Sequence, residues 1–204
     1  MFHYDNYILR YEAKYKKINS VINRQMKFFS KITILGVLSA LFFATATAAK
    51  SGANIYAVSR DVPNKSIYGE PGNRLKLSDF GSSFVVAVFW SRYCFPCIQE
   101  MESLADFAEK TKNAGIRVIL ISPQDEWSGG FAEQRNFLRR LNAQNLEIYV
   151  DNKGDLTAAL GIFSSPVSVL VNREGKEIGR IRGSVVWNKP EVIDFMLKLA
   201  VDGN

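Results

Sequence analysis

The two cysteines of the 204-residue chain stand together as Cys94-Phe95-Pro96-Cys97. A C-x-x-C pair can hold a metal, close a structural disulfide, or cycle between dithiol and disulfide. A zinc site takes about four ligands, and the sequence offers one histidine, His3, far from the pair. A disulfide across two residues closes a very small loop and restrains the unfolded chain little. Redox chemistry is the strongest of the three readings, and it depends on how the neighbouring elements hold the two sulfurs.

Phe84 to Phe89 is a short continuous apolar run that suits a buried strand. Ile98 to Lys112 carries helical periodicity, so the motif sits where a strand feeds a helix N-terminus, with Cys94 at the mouth and Cys97 inside the first turn. The unpartnered N–H groups there favour a thiolate over a thiol and can lower a cysteine pKa from about 8.5 toward about 7 or below. Cys97, one turn on, is close enough to close a disulfide back onto Cys94. Stepping about 100° per residue from Cys97, Glu100 falls about 60° away, between Phe107 and Leu104, as the one charged residue on the apolar arc. Two readings stand from spacing alone: a glutamate favoured by the helix dipole, or a partly buried carboxylate beside the thiols.

Phe89-Trp90-Ser91-Arg92-Tyr93-Cys94-Phe95-Pro96-Cys97 after an apolar strand resembles the TlpA/ResA-like branch of the thioredoxin superfamily. A second segment about 70 residues on, Gly161-Ile162-Phe163-Ser164-Ser165-Pro166-Val167-Ser168-Val169-Leu170-Val171, matches the place where that family opens a strand with a cis-proline facing the C-x-x-C. The resemblance runs from about Ile67 to Leu199. It implies an α/β thioredoxin fold, a central mixed sheet flanked by helices, with Phe131 to Val150 as a TlpA/ResA-type helix–strand insertion. It implies Cys94 as the attacking and Cys97 as the resolving thiol, and Glu100 as a participant in the redox step. Trp90, Tyr93, Ser165 and Pro166 are the implied substrate-binding residues, although packing alone accounts for a large aromatic such as Trp90. Phe95 and Pro96 tune redox poise; Phe95 brings no charge or donor, which favours a reductant over an oxidant. The family commonly has threonine where Ser165 stands and tryptophan where Tyr93 stands.

Residues 1–48 are set apart from the fold. Lys27 and Lys31 precede an apolar run, Ile32 to Ala44, and Ala46-Thr47-Ala48 supplies a small-residue cleavage pattern. This reads as a secretory signal cleaved near Ala48; an uncleaved anchor over Ile32 to Ala49 is the competing reading. Met26-Lys27-Phe28-Phe29 would make an ordinary signal start, which suggests that the stretch ahead of Met26 is a misassigned beginning. Residues 1–49 hold seven Lys/Arg against two Asp/Glu, so the chain's +6 shrinks to +1 in the remainder, with 19 against 18. The basic balance therefore says nothing for nucleic acid. The absence of histidine beyond His3 removes Cys–His catalysis and counts against a copper chaperone.

One domain over 49–204 is the expectation. Lys50 to Lys65 reads as a polar lead-in, Ile67 to Ser78 as a short hairpin, Ile116 to Ile121 as a second buried strand, and Glu191 to Leu199 as the last helix. The function implied is an exported, bacterial periplasmic thiol–disulfide oxidoreductase, acting chiefly as a reductase on envelope protein disulfides, with a place in cytochrome c maturation. It needs no cofactor beyond the Cys94–Cys97 pair and no metal. A membrane electron donor of DsbD/CcdA type would recharge it. The alternatives are an enzyme working in the oxidase or isomerase direction and a non-catalytic thioredoxin-fold binding module. A peroxiredoxin pattern requires proline seven and threonine three residues before the reactive cysteine, where this chain has Ala87 and Ser91.

The leader makes a direct prediction. Protein recovered from the cell envelope begins at Ala49 or Lys50 on N-terminal sequencing; an intact leader would favour the anchor.

Overall fold

The strand ahead of the motif, β4 (Phe84–Phe89), is buried at every position. That fits a strand covered on both faces, where alternation of apolar and polar residues gives way to a continuous apolar run. The computed structural model describes residues 52–70 and 72–202. The leader, its cleavage pattern and the alternative start at Met26 lie outside the described residues.

The strands before β4 are β1 (Gly52–Asp61), β2 (Ser66–Gly69) and β3 (Asn73–Lys76). After it come helix α1 (Phe95–Thr111), β5 (Ile116–Pro123), α2 (Gly130–Arg139), β6 (Glu147–Asp151) and the short α3 (Asp155–Ala159). The chain then runs through β7 (Val167–Val171) and β8 (Lys176–Arg182) into α4 (Pro190–Asp202). The strands form one mixed sheet in the order β1-β8-β7-β4-β5-β6-β2-β3. β4 runs parallel to β5 and antiparallel to β7.

The pleat divides the core. Val85, Ala87 and Phe89 of β4 join Ile119, Ile121, Val167, Val169 and Val171 in one apolar cluster, which Leu156, Leu160 and Phe80 cover. The alternate residues Val86, Val88, Val118, Leu120 and Leu170 are buried too. On α1 the buried positions Cys97, Glu100, Met101, Leu104, Ala105 and Phe107 trace the arc expected from helical spacing. Gly115 ends the following 3-10 turn at φ 79°, a left-handed conformation that glycine adopts without strain.

Register places the site. Phe89, the last residue of β4, lies opposite both Ile121 of β5 and Val167 of β7. The chain leaving β4 therefore passes directly beside the residue that follows Pro166. Among the described residues, no helix is long and apolar enough to cross a membrane.

The polar lead-in expected over Lys50 to Lys65 is corrected by β1, which pairs antiparallel with β8 at the sheet edge. Its side chains are almost all exposed, so no apolar period marks it; main-chain pairing and buried Glu177 hold it instead. Glu177 accepts a hydrogen bond from the Tyr56 hydroxyl at 2.8 Å and pairs with Arg180 at 2.5 Å. β1 also needs Gly179: a Cβ there would lie 2.7 Å from the Asn54 carbonyl oxygen. Gly179→Ala is expected to lift β1 off β8 and destabilise the fold by about 1–3 kcal/mol, the usual range for overpacking. Faster amide exchange over 52–55 and a lowered Tm would register it; an unchanged exchange pattern would refute it.

Candidate functional site

Cys94 is the N-cap of α1, with extended backbone angles, and its Sγ accepts a hydrogen bond from the Cys97 N–H at 3.3 Å. A helix end aimed at a sulfur stabilises negative charge on it. Phe95 and Pro96 occupy the first two helical positions, where the proline's missing N–H leaves no intrahelical bond unmade. Cys94 and Cys97 form a disulfide, with Cα atoms 5.3 Å apart. The two sulfurs are unequal in access: Cys94 is partly exposed, whereas Cys97 is fully buried. An incoming group can therefore reach Cys94 only.

The proline segment arrives as its motif predicts. The Ser165–Pro166 peptide is cis, and the Ser165 carbonyl oxygen lies 3.4 Å from Cys94 Sγ. Pro166 itself is buried, while Ser165 stays exposed with its neighbour Ser164. Tyr93 and Phe95 are also exposed, on either side of Cys94. Trp90 is buried and lies beneath the site, its ring 5.7 Å from that of Trp127 and 6.1 Å from that of Phe137. Its contribution is therefore to shape the floor.

That floor includes residues the sequence reading did not single out. Arg92, two residues before Cys94, is buried with its guanidinium 4.7 Å from the Trp127 ring centroid. It donates to the Glu126 carbonyl at 2.8 Å and to Glu133 Oε1 at 2.7 Å, and its backbone N–H donates to Glu126 Oε2 at 2.9 Å. The Gly129 amide, followed by Arg92, holds the Glu133 carboxyl below its ordinary value. Trp127 and Trp187 could have been suspected from rarity, since the chain has three tryptophans and Trp90 is the third. All three are buried at or near this site.

Glu100 sits on the other flank, 2% exposed. Its Oε2 accepts the Val185 N–H at 2.9 Å, and the Ser103 hydroxyl, which donates to the Glu100 carbonyl, accepts the Trp187 N–H. The carboxylate thus ties the loop after β8 to α1. Oε1 and the Trp187 indole nitrogen are both buried without a hydrogen bond. Burial pushes the carboxyl from 4.5 up to about 7, against the opposing pull of the Val185 amide and, more weakly, of the Ser184 and Trp187 side chains. Among the described residues, no cluster of three or more His, Cys, Asp or Glu could hold a metal.

Comparison with known proteins places this geometry. The model of the AhpC/TSA family matches residues 58–195. The thiol-disulfide oxidoreductase ResA of Bacillus thuringiensis subsp. konkukian is 25% identical over 142 residues, covering 70% of this chain and 78% of the relative. ResA of Bacillus subtilis is 24% identical over 165 residues, covering 80% and 89%. Among solved structures, a putative thiol:disulfide interchange protein DsbE from Chlorobium tepidum superposes with a TM-score of 0.55 at 24% identity, covering 70% of this chain and 94% of that one. StoA from Bacillus subtilis gives 0.51 at 16%, covering 65% and 92%. At these identities the structures establish the thioredoxin fold.

The raised Glu100 pKa makes stability depend on pH. With the unfolded carboxyl near 4.5 and the folded one near 7, the folded state holds the extra proton between these values. Its stabilising contribution is complete below about pH 4.5 and is lost as pH rises through about 7, a change on the order of 3 kcal/mol. Glu100→Gln keeps an acceptor for the Val185 N–H and removes the titration. Denaturant unfolding between pH 5 and 8 is expected to show a downward slope in the parent that flattens in the variant; equal slopes would remove Glu100 as its source.

Proposed function

The chain belongs to the AhpC/TSA family, and from that premise and the arrangement of its two sulfurs we propose that it is a thiol–disulfide oxidoreductase acting on protein disulfides. The observation that carries the reading is the asymmetric pair: Cys94 reachable at a helix N-terminus beside the Ser165 carbonyl, Cys97 covered one turn behind it. Ala87 and Ser91 stand where a peroxiredoxin would need proline and threonine, which weighs against a peroxidase.

In the proposed cycle the reduced protein presents Cys94 as a thiolate, stabilised by the Cys97 N–H and the helix end. Its Sγ attacks one sulfur of the substrate disulfide; that S–S bond breaks, and the other substrate sulfur leaves as a thiolate that takes up a proton. The resulting mixed disulfide joins Cys94 to the substrate. Cys97 then loses its proton and attacks Cys94 Sγ, releasing the second substrate thiol and leaving the Cys94–Cys97 disulfide. Two electrons pass from the dithiol to the substrate. Glu100, on the same helix arc as Cys97, is the group proposed to accept the Cys97 proton, since a carboxyl near pH 7 can exchange protons at neutral pH.

The direction proposed is reduction. Phe95 and Pro96 offer no charge or free donor to the Cys94 thiolate, so the thiolate is only moderately stabilised and its disulfide is not strongly oxidising. We further read the chain as exported, with a leader through Ala48 and one domain from Ala49 to Asn204, in which α2 and β6 form the insertion of the TlpA/ResA branch. Its proposed partners are envelope proteins with disulfides, apocytochrome c among them, and a membrane electron donor of DsbD/CcdA type.

Insulin reduction with a chemical thiol donor separates an enzyme from a non-catalytic binding module. Cys97→Ala is expected to accumulate mixed disulfides through Cys94, whereas Cys94→Ala abolishes both turnover and trapping. Trapping by the Cys94 variant alone would reverse the two roles. Equilibration with glutathione settles direction: a potential near about −120 mV, as in strong oxidants, would overturn the reductase assignment.

A further inference from the structure

Two buried polar atoms beside the site make no hydrogen bond, and they are complementary: Glu100 Oε1 is an acceptor and the Trp187 indole N–H a donor. Trp187 is fully buried and Glu100 nearly so, which leaves neither atom to bulk water. Both belong to one small assembly. Glu100, Ser103 and Phe107 stand at i, i+3 and i+7 of α1, on a single stripe of the helix. That stripe grips the loop after β8 at three points. Glu100 Oε2 accepts the Val185 N–H, Ser103 Oγ accepts the Trp187 backbone N–H at 3.2 Å, and the Phe107 ring lies 5.4 Å from the Trp187 ring.

The indole is thereby fixed, close enough for its side chain to favour the ionised Glu100 carboxyl. The carboxyl is less constrained, because the last torsion of a glutamate is broad and lets Oε1 turn without moving the backbone. Ser184, the other side chain that acts on it, is half-buried and can turn its hydroxyl to solvent. Trp187 has one donor and no such alternative. The charged residues on the surrounding elements are Glu102 and Asp106 on α1, Arg182 at the end of β8, and Lys189 and Glu191 around the start of α4. All are exposed or half-exposed, and no charged side chain among the described residues contributes to the Glu100 shift. The other titratable group on the buried arc of α1 is Cys97, one turn back.

We propose that Trp187 is a positioning residue for the resolving step: its indole N–H donates to Glu100 Oε1 when that carboxyl is ionised, and so holds it as the base for Cys97. This rests on the oxidoreductase reading, in which Glu100 takes the Cys97 proton. In that step one proton moves from Cys97 Sγ to the carboxylate and the Cys97 thiolate bonds to Cys94 Sγ. The substrate sulfur leaves with the electron pair of the mixed disulfide bond. The indole keeps its own proton throughout and loses its charged partner as the carboxyl becomes neutral.

Trp187→benzothienylalanine keeps the ring shape and puts sulfur where the indole has N–H, so it isolates that one hydrogen. With isotope-labelled glutamate, and Glu100→Gln to assign the signal, NMR titration is expected to show the Glu100 pKa rising by about one pH unit, the scale of one hydrogen bond to a charged group. In single turnovers at saturating peptide disulfide, release of the second thiol is expected to slow about fivefold at about pH 7 and to match the parent near about pH 9, where Cys97 ionises unaided. In the Glu100→Gln background the same replacement is expected to change nothing. An unmoved Glu100 pKa, a rate loss equal at both pH values, or a loss that persists without Glu100 overturns the role of Trp187. The parent protein gives a second measurement that needs no change at Trp187. Its indole N–H resonance is expected to move through the Glu100 titration and to stay still in Glu100→Gln; a resonance indifferent to that titration also overturns the proposal. If no mixed disulfide forms but the Glu100 pKa still depends on the indole N–H, the oxidoreductase reading falls while the hydrogen bond from Trp187 stands.

Discussion

The pairing of β4 with β7 is the constraint on which the rest of the site depends. Phe89 faces Val167 across an antiparallel ladder of residues buried on both sides. A slip of one residue would turn every side chain of β4 to the other face, so the two apolar layers fix the register strongly. Because the cysteine motif follows β4 directly and Pro166 precedes β7 directly, that register also fixes the distance between Cys94 Sγ and the Ser165 carbonyl. The core thereby sets the chemistry: the same contacts that hold the sheet together present one sulfur beside an exposed backbone segment.

The helix completes what the ladder begins. α1 starts at Phe95, immediately after Cys94, so one free amide of its first turn, that of Cys97, points at the sulfur that faces outward. Its buried arc then carries Cys97 out of reach of solvent. A single helix with one apolar stripe therefore produces both halves of the asymmetry, an electrostatically favoured outer thiolate and a covered inner thiol.

Elements that bury a periodic or continuous apolar run were legible in the sequence: β4, β7, β5 and α1 appear within a few residues of where their patterns place them. The hairpin of β2 and β3 followed from its turn residues in the same way. β1 was not legible, because a strand held by its backbone at a sheet edge leaves no period in its side chains. The apolar arc drew attention to Glu100, but nothing could reveal the partner of its carboxylate, a Val185 main-chain amide with no signature of residue type. Arg92 was missed for a related reason: its meaning comes from Trp127 and Glu133, 35 and 41 positions away, which only the folded sheet brings beneath the motif.

Arg92 and Glu100 are the two charged side chains buried next to the motif along the chain, and the fold treats them differently. Arg92 is met by a carboxylate, a carbonyl and an aromatic face, an arrangement that fixes its charge and its position. Glu100 receives one backbone hydrogen bond and is left with an oxygen buried and unbonded. A carboxylate so poorly compensated weakens the folded state above neutral pH, and a hydrophobic side chain on that arc would pack without the penalty. The deficit is what brings its protonation into the neutral range. A fully satisfied carboxylate would stay ionised throughout the neutral range. The incomplete solvation of Glu100 thus places a pH-dependent instability one helical turn behind the buried cysteine.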